Sequence, residues 1–366
     1  MSSPRSRKMG SSRAATLADV GREAGVSAMA ASAVLNGART SSRIAPQTRE
    51  RILAAAARLS YRANVAARAL AKRRMNTIGV VAVTDSGVLN HYFLEVLGGI
   101  LATAGRLEQN TTVFALHNWA ADAARLQSMC DGRIDGMILI APTIGKNAAK
   151  LLPAHTPFVA LHANVSLANV LNIESDEEHG AYAMTRHLID QGHRRIVHVA
   201  GPRGFTGAER RILGYQAALA SAGIHETDAW LVPGDFTTDG GRAAFRAWLH
   251  QHAGERLPDA IFCANDGMAM GCLEVLADLG IRVPEDVSVA GFDDTLAARM
   301  SVPQLTTVRQ PLAAMGSRAV ELIFENIERS GDGDGPPGPV VFPVELVHRA
   351  SVAPRTTPAR LIPAHA

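Results

Sequence analysis

Residues 16–37 read TLADVGREAGVSAMAASAVLNG. Thr16 is followed three residues later by Asp19, a near capping box that predicts a short helix over residues 17–24. Gly25 permits the left-handed backbone that ends such a helix, and Ser27 can cap a second short helix over residues 28–35. Two helices joined by so tight a turn are typical of the helix-turn-helix motif that binds DNA. Ordinary packing in a small helical bundle is the alternative.

A third helix is predicted over about residues 47–60, with Tyr61 closing the unit. Its apolar stripe is predicted to comprise Ile52, Leu53, Ala56 and Leu59. From Asn64 the chain continues as NVAARALAKRR, a segment too short to form a stable helix alone in water. A helix that forms only on DNA could insert Leu70 between base steps of the minor groove. A flexible basic linker is the alternative.

The positive charge of the chain is concentrated at its start. The 366 residues carry a net charge of +3, with 47% hydrophobic and 19% charged residues. Residues 1–76 hold 15 Lys and Arg against three acidic residues, a net charge of +12, whereas the other 290 residues sum to −9. A small module with so much positive charge requires a polyanion or an anionic membrane surface as its partner, and a solvated basic tail is the alternative. The acidic remainder suits a small-molecule site.

From residue 77 the pattern changes to apolar runs that alternate with amphipathic stretches, among them TIGVVAV, GMILIA and DVSVAGF. This alternation predicts βαβ units and parallel sheets. Ligands of such sheets bind beyond the carboxyl ends of the strands, so the informative residues follow each apolar run. Those positions hold Asp85, His162, residues 201–207, Asn265-Asp266 and Asp293-Asp294.

These segments together are similar to one known family. The runs TLADVGREAGVS, VLNG, TRERILAAAARLSYRAN and NTIGVV resemble the amino-terminal signature of the lac-repressor (LacI) family of bacterial transcription regulators, and the resemblance extends to about residue 351. It implies an α-helical helix-turn-helix domain followed by an α/β sensor of the periplasmic-binding-protein type. That sensor has two Rossmann-like lobes with parallel sheets and an effector between them. The resemblance places chain crossovers near residues 174 and 308.

The resemblance also implies how the first module contacts DNA. Ala28, Met29 and Ala33 take base-reading positions of the recognition helix, residues 64–71 form a hinge helix, and Leu70 is the minor-groove wedge. The run Ala30 to Ala33 replaces the family's usual Thr-Val-Ser-Arg, which removes an arginine that could read guanine. Arg39 and Arg43, in a loop longer than the family's usual turn, are expected to contact phosphates instead. The full set expected to contact DNA is Thr16, Ser27, Ala28, Met29, Ser32, Ala33, Asn36, Arg39, Arg43, Tyr61, Asn64, Ala67 and Leu70.

An effector site follows from the same resemblance. Arg211, in ERRILGY, matches the family's effector-binding arginine, whose guanidinium can hold two oxygens. Asp293, in AGFDDT, matches its effector-contacting aspartate; a surface arginine and a helix cap are the respective alternatives. Asn265 could equally cap a helix, Phe236 could equally pack in a core, and His162 stands where many relatives carry an aspartate. The expected set is Asp85, Phe93, His162, Arg211, Phe236, Asn265 and Asp293.

The sequence lacks the usual signatures of enzymes. GPRGFTG follows a predicted strand, but its glycine spacing fits neither the dinucleotide nor the P-loop fingerprint. Neither HExxH nor G-x-S-x-G occurs, and the 13 histidines and three cysteines show no metal-ligand spacing. We therefore expect no enzyme activity, no catalytic residue, no cofactor and no metal. The odd number of cysteines, and the absence of both a signal-type apolar region and a membrane-length apolar stretch, predict a cytoplasmic protein without membrane contact.

The sequence thus predicts a ligand-responsive transcription regulator, a repressor that binds a pseudo-palindromic operator duplex as a homodimer or a dimer of dimers. A sugar is the expected effector; a purine-responsive regulator and a sugar-binding module of a transport system are the alternatives. The expected segments are a disordered basic arm (1–14), a helix-turn-helix domain (15–62), a hinge (63–76), an effector domain (77–352) and a disordered tail (353–366). Within the effector domain, lobe 1 is expected to comprise about residues 77–174 and 309–338, and lobe 2 about residues 175–308 and 339–352.

Overall fold

The computed structural model describes residues 14–36, 44–62, 74–83, 90–144, 152–165, 167, 169–225, 230–328, 338–356 and 360–363. The chain divides into two compact units, Met1–Asn76 and Thr77–Ala366. The expected basic arm and hinge fall almost entirely on residues 1–13 and 63–73, which lie outside the described residues.

The first unit packs three helices around a small core: α1 (Leu17–Ala24), α2 (Ala28–Asn36) and α3 (Pro46–Arg58). Thr16 and Asp19 form a full capping box, in which the Asp19 N–H donates to Thr16 Oγ1 at 3.3 Å and the Thr16 N–H donates to the Asp19 carboxylate at 2.9 Å. Gly25 ends α1 with a φ of 67°, in the left-handed region that favours glycine. The two helices and the turn predicted from residues 16–37 are therefore present.

The apolar stripe of α3 differs from the predicted one at a single position. Leu53 is 47% exposed, so the prediction that it belongs to the core is wrong, whereas Ala55 is fully buried. At 3.6 residues per turn, positions 52, 55, 56 and 59 fall on one side of a helix, and position 53 lies about 100° from residue 52. The buried side chains of this core are Val20, Ala24, Ala31, Ile52, Ala55 and Ala56.

The second unit contains two six-stranded sheets. Its elements are, in chain order, β1 (Thr77–Val83), α4 (His91–Arg106), β2 (Asn110–Leu116), α5 (Trp119–Asp122), a 3-10 turn (Ala123–Arg125), α6 (Leu126–Met129), β3 (Gly136–Ile140), β4 (Phe158–Leu161), β5 (Val170–Ser175), α7 (Glu177–Asp190), β6 (Ile196–Ala200), α8 (Thr206–Ser221), β7 (Leu231–Pro233), α9 (Thr238–Gln251), β8 (Ala260–Cys263), α10 (Asp266–Asp278), β9 (Ser288–Asp293), α11 (Leu296–Met300), β10 (Thr306–Arg309), α12 (Leu312–Glu328), β11 (Val340–Phe342) and β12 (Glu345–Val347).

Each sheet defines one lobe. The strand order is β11-β5-β4-β3-β1-β2 in lobe 1 and β12-β10-β9-β8-β6-β7 in lobe 2. The strands of these sheets are parallel except for the antiparallel pair β10 and β12. Helices α4 and α12 cover one face of the first sheet, α7 and α8 one face of the second, and α9 and α10 its other face. The predicted α/β fold with two parallel-sheet lobes is confirmed.

The chain passes between the lobes three times in the described residues, at 175–177, 309–312 and 342–345. The first two passages agree with the expected crossovers. The third corrects the expected boundary of lobe 2, because Val340–Phe342 pair with Ile173–Ser175 in the sheet of lobe 1. Three backbone segments within the described residues therefore join the lobes.

The C-terminal segment also differs from the disordered tail that the sequence suggested. Among residues 353–356 and 360–363, Ile362 is only 2% exposed and belongs to the core between the second sheet and α9 and α10. Arg355 and Arg360 pair with Asp259 and Asp286 at 3.1 and 2.9 Å. These contacts fold the segment onto lobe 2. Nowhere in the described part of the chain is a helix both long and apolar enough to cross a membrane.

Candidate ligand site and nucleic-acid interface

A chain of hydrogen bonds runs between the lobes at the carboxyl ends of the strands. Tyr92 Oη lies 2.6 Å from His162 Nδ1, and His162 Nε2 lies 3.1 Å from Ser175 Oγ. Ser175 Oγ donates to Gln310 Oε1, and Gln310 Nε2 donates to Asp293 Oδ1 at 2.6 Å. Ser175 and Gln310 lie beside the first two passages between lobes, so the chain joins Tyr92 of lobe 1 to Asp293 of lobe 2.

This pattern determines the protonation of His162. The Ser175 hydroxyl has one proton and donates it to Gln310, so Ser175 accepts from His162 Nε2; in the neutral imidazole, Nδ1 then accepts from the Tyr92 hydroxyl. Burial lowers the pKa of His162, which favours the same neutral form. His162 therefore contributes no positive charge near neutral pH, and burial together with the nearby Asp293 carboxylate raises the pKa of Tyr92.

Arg211 lies at the centre of the site and is 5% exposed. Its Nη2 is 3.3 Å from Glu177 Oε1, its Nη1 is 3.8 Å from Asp293 Oδ1, and the same Nη1 donates to the carbonyl of Ala264. The guanidinium stands 4.0 Å from the ring centroid of Phe292. Its Nε–H has no hydrogen-bond partner among the described residues. The arginine is thus held by Ala264, Glu177 and Phe292, and among its three nitrogens Nε has no partner in the described residues.

Glu177 is a residue that the sequence reasoning missed. It is 2% exposed and lies between Arg211, Arg210 at 3.5 Å and His162 at 3.7 Å. In the sequence it is one of two glutamates in the first turn of α7, a position where acidic residues are usually solvated. The available signal was its place directly after β5, at the carboxyl edge of the sheet.

Two buried aspartates, Asp293 beside Arg211 and Asp266 on α10, hold their protons more tightly than usual. Burial raises the pKa of Asp293 to about 6 and that of Asp266 to about 8. Asp266 is fully buried, and it accepts from Thr307 Oγ1 at 2.6 Å and from the Thr295 N–H at 2.7 Å. Asp266 therefore connects α10 to the ends of β9 and β10, where Asp293 lies.

The backbone at these strand ends is strained. His162, Phe236 and Asp293 have φ values of 50°, 67° and 116°, in a region that residues other than glycine rarely occupy. Such strain persists only where the surrounding structure enforces it, and it concentrates at ligand sites. The three residues share this feature although they lie at or beyond the ends of three different strands.

Of the other residues expected at the effector site, one lies near Arg211, two serve a helix cap or a core, and one lies outside the described residues. Asn265 caps α10, accepting from the Met268 N–H and donating to the Phe236 carbonyl, both at 2.9 Å, so its amide serves the turn. Phe236 is half-buried, 5.7 Å from the Arg211 guanidinium. Phe93 is 6% exposed in the core of lobe 1, and its neighbour Tyr92 makes the contact to His162 instead. Asp85 lies outside the described residues.

The residues expected to contact DNA divide into exposed ones and ones that hold the helices together. Met29 is 70% exposed and Ala28 is exposed beside it, while Ser32 and Ala33 are half-buried. Thr16 and Ser27 accept from helix N–H groups, Asn36 is 4% exposed and donates to Ser32, and Tyr61 packs against the core. Those outside the described residues are Arg39, Arg43, Asn64, Ala67 and Leu70.

Comparison with known proteins agrees with both units. Residues 16–64 match the family model for bacterial regulatory proteins of the lacI family, and residues 185–352 match that for a periplasmic binding protein-like domain. The HTH-type transcriptional repressor PurR of Haemophilus influenzae is 30% identical over 92% of this chain and 98% of its own length. Catabolite control protein A of Priestia megaterium is 32% identical over 86% of this chain and 93% of its own length.

Solved structures give the same result. The lac repressor dimer bound to operator and the anti-inducer ONPF has a TM-score of 0.79 at 27% identity and covers 93% of this chain and 100% of its own. The complex of the transcriptional regulator CelR with cellobiose has a TM-score of 0.68 at 29% identity and covers 92% and 99%. A helix-turn-helix unit followed by a two-lobed α/β unit with a polar site between its lobes defines the ligand-responsive, DNA-binding transcription regulators. The chain belongs to the LacI family of these regulators.

Proposed function

We propose that this protein is a cytoplasmic repressor that binds a pseudo-palindromic operator as a homodimer or a dimer of dimers. The resemblance to the transcriptional repressor PurR over 92% of the chain supports this, as does the charge of +12 on residues 1–76. Two-fold symmetry would place two copies of α2 in successive major grooves. The proposal includes no catalytic step, and the described residues contain no group of three or more His, Cys, Asp or Glu side chains that could hold a metal ion.

The ligand site that we propose is the space around Arg211, Asp293 and His162. The observation that carries it is the unused Nε–H of a buried arginine next to an aspartate with a strained backbone. A ligand oxygen can accept from that N–H, and a ligand hydroxyl can donate to Asp293. Sugars offer both groups on adjacent carbons.

The charge of the site favours an uncharged ligand over an anionic one. Glu174, Glu177 and Asp293 lie near Arg210 and Arg211, and His162 is neutral, so carboxylates outnumber guanidinium groups. A phosphate placed there would face the carboxylates at low dielectric and would lose its hydration shell. We therefore propose a neutral sugar rather than a sugar phosphate. A purine is the alternative, which the experiment below separates.

Ligand binding would act on DNA affinity through the relative position of the lobes. Besides the hydrogen-bond chain from Tyr92 to Asp293, the side-chain contacts between the lobes include Thr206 to the Asn164 carbonyl at 3.0 Å, Arg299 to Glu95 at 2.7 Å, and Arg210 to Glu174. A ligand that binds one lobe arrangement more tightly shifts the population toward it, and by linkage DNA shifts it too.

A thermal-shift screen tests the site. We expect a neutral sugar to raise the melting temperature of the wild-type protein, because it binds only the folded state, and we expect Asp293→Asn to reduce the shift. Asp239→Asn is the matched control, since the Asp239 side chain on α9 is 88% exposed. Nucleobases and sugar phosphates complete the panel.

Each outcome has a distinct meaning. If only a nucleobase raises the melting temperature, the ligand is a purine and the proposed sugar is wrong. A shift with a sugar phosphate would contradict the charge argument. An equal shift in Asp293→Asn and wild type would contradict the assignment of the site while leaving the family assignment intact.

A further inference from the structure

The outer face of α2 is formed by apolar and hydroxyl side chains. Met29 and Ala28 are exposed, and Ser32 and Ala33, one turn further along, are half-buried. On the opposite side Ala31 is fully buried against α1 and α3. Because positions 29, 32 and 33 share one helix face, a DNA duplex docked on α2 would meet this set of side chains first.

This face lacks the groups that usually read bases. Arginine or lysine is needed to bind guanine O6 and N7, an exposed asparagine or glutamine to bind adenine, and an acid to accept from cytosine N4. The sequence AMAASAVLN of α2 contains one such residue, Asn36, which is 4% exposed and donates to Ser32 Oγ at 3.3 Å. Ser27 Oγ accepts from the Ala30 N–H at 3.1 Å and keeps its own proton, but a serine hydroxyl can bond to more than one base and therefore selects poorly among them.

One base-edge feature complements such a surface. In the major groove, only the C5-methyl group of thymine is apolar. Small side chains allow α2 to lie close to the base edges, and the flexible Met29 side chain can cover a methyl group. We propose that this protein selects its operator by packing Met29, with Ala28 and Ala33, on thymine methyl groups.

Basic side chains in the same unit supply the attraction to DNA without reading the sequence. Arg22, Arg49 and Arg58 are exposed on α1 and α3. Phosphate contacts from such residues fix the register of a helix in the groove but carry no base information. Among the described residues of this unit, selectivity thus depends on the apolar face of α2. This inference rests on the proposed operator binding, since it names the groups of the duplex that are recognised.

Replacing thymine by uracil tests the inference, because uracil lacks only the methyl group. The full-length chain is first used to select binding duplexes from a randomised pool, and thymines of the enriched half-sites are then replaced one at a time. We expect an enriched thymine whose replacement weakens binding roughly four-fold, the effect of one apolar carbon group removed from contact. Met29→Ala should weaken binding to the thymine duplex. In this variant, replacing the thymine that Met29 contacts by uracil should cause a smaller loss of affinity than in the wild type.

The control variant is Leu213→Ala, which removes a side chain 53% exposed on α8 and should change neither quantity. Equal affinity for thymine and uracil duplexes at every half-site position would overturn the inference. So would a Met29→Ala variant that keeps the full uracil effect, and so would tight binding without enrichment of any sequence. Absence of binding to any duplex would instead contradict the proposed function.

Discussion

Asp266 is a fully buried acid whose neighbours are hydroxyl and amide donors rather than a cation. Both carboxylate oxygens accept hydrogen bonds, from Thr307 and Thr295. Burial and the nearby Asp293 raise its pKa to about 8, from an ordinary value of 3.8. The folded protein therefore keeps a proton at neutral pH that the unfolded chain releases.

The stability of the protein should fall as the pH rises toward 8. Between its unfolded and folded pKa values, Asp266 binds more protons in the folded state, so raising the pH removes stability by at most about 1.4 kcal/mol per pH unit. Asp293 acts in the same sense only below about pH 6, whereas the buried histidines with lowered pKa values act in the opposite sense, mainly below pH 6.5. The interval from pH 6.5 to 8 therefore isolates Asp266 among these groups.

We predict that Asp266→Asn flattens this decline, since asparagine keeps an acceptor for Thr307 or Thr295 and does not titrate. The measurement is the free energy of unfolding by urea at four pH values between 6.5 and 8. Asp278→Asn, in which the replaced side chain is 63% exposed, should keep the wild-type slope. Parallel curves for wild type and Asp266→Asn would show that the carboxyl group does not hold this proton.

At the scale of elements, the turn between α1 and α2 depends on the close approach of two backbone segments. A Cβ atom at Gly21 would lie 2.8 Å from the Val26 carbonyl oxygen and 3.1 Å from the Ala28 nitrogen. Both are backbone atoms, so neither can move aside as a flexible side chain would. The glycine sets the distance between α1 and the start of α2.

We predict that Gly21→Ala separates the two helices and abolishes sequence-specific DNA binding while ligand binding persists. The matched control is Gly98→Ala on α4, where a Cβ would have nothing within 4 Å and alanine should stabilise the helix by up to about 1 kcal/mol. Gel shifts measure the first effect, and amide hydrogen exchange of residues 14–62 reports whether the helices loosen. Wild-type DNA affinity in Gly21→Ala would mean that the turn tolerates a wider spacing.

At the scale of the whole molecule, the two units carry opposite charge, +12 on residues 1–76 and −9 on the other 290. The described basic residues of the first unit lie mainly at its surface. The described acids of the second unit lie both at its surface and in the ligand site, where burial and neighbouring guanidinium groups govern them. Salt should therefore affect the two binding activities differently.

We predict that DNA affinity falls steeply with salt, by roughly 0.9 log unit per log unit of salt for each phosphate that is neutralised. Binding of a neutral ligand should change little over the same range, because buried charges are weakly screened. Gel shifts measure DNA affinity and calorimetry measures ligand affinity, both over a salt range of roughly 50 to 300 mM. A DNA affinity independent of salt would show that the basic residues do not neutralise DNA phosphates.

The sequence alone determined the elements whose signals are local. The capping box at Thr16, the left-handed Gly25 and the alternation of apolar runs depend on neighbouring residues, so the helix-turn-helix unit and the parallel α/β lobes were predictable. Arg211, Asp293 and His162 were predicted through the family resemblance, and the structure places them beside one another. Their role in ligand binding stays a proposal.

The residues that surround these three are set by packing between distant segments of the chain. Glu177, Tyr92 and Ser175 come from α7, α4 and β5, Gln310 follows β10, and no spacing in the sequence indicates that these distant segments meet. The same is true of β11, which is in lobe 1, and of Ile362, which fills a core of lobe 2. The physical reason is that burial, charge compensation and sheet pairing depend on distances in space, which a chain sets only when distant segments have packed together.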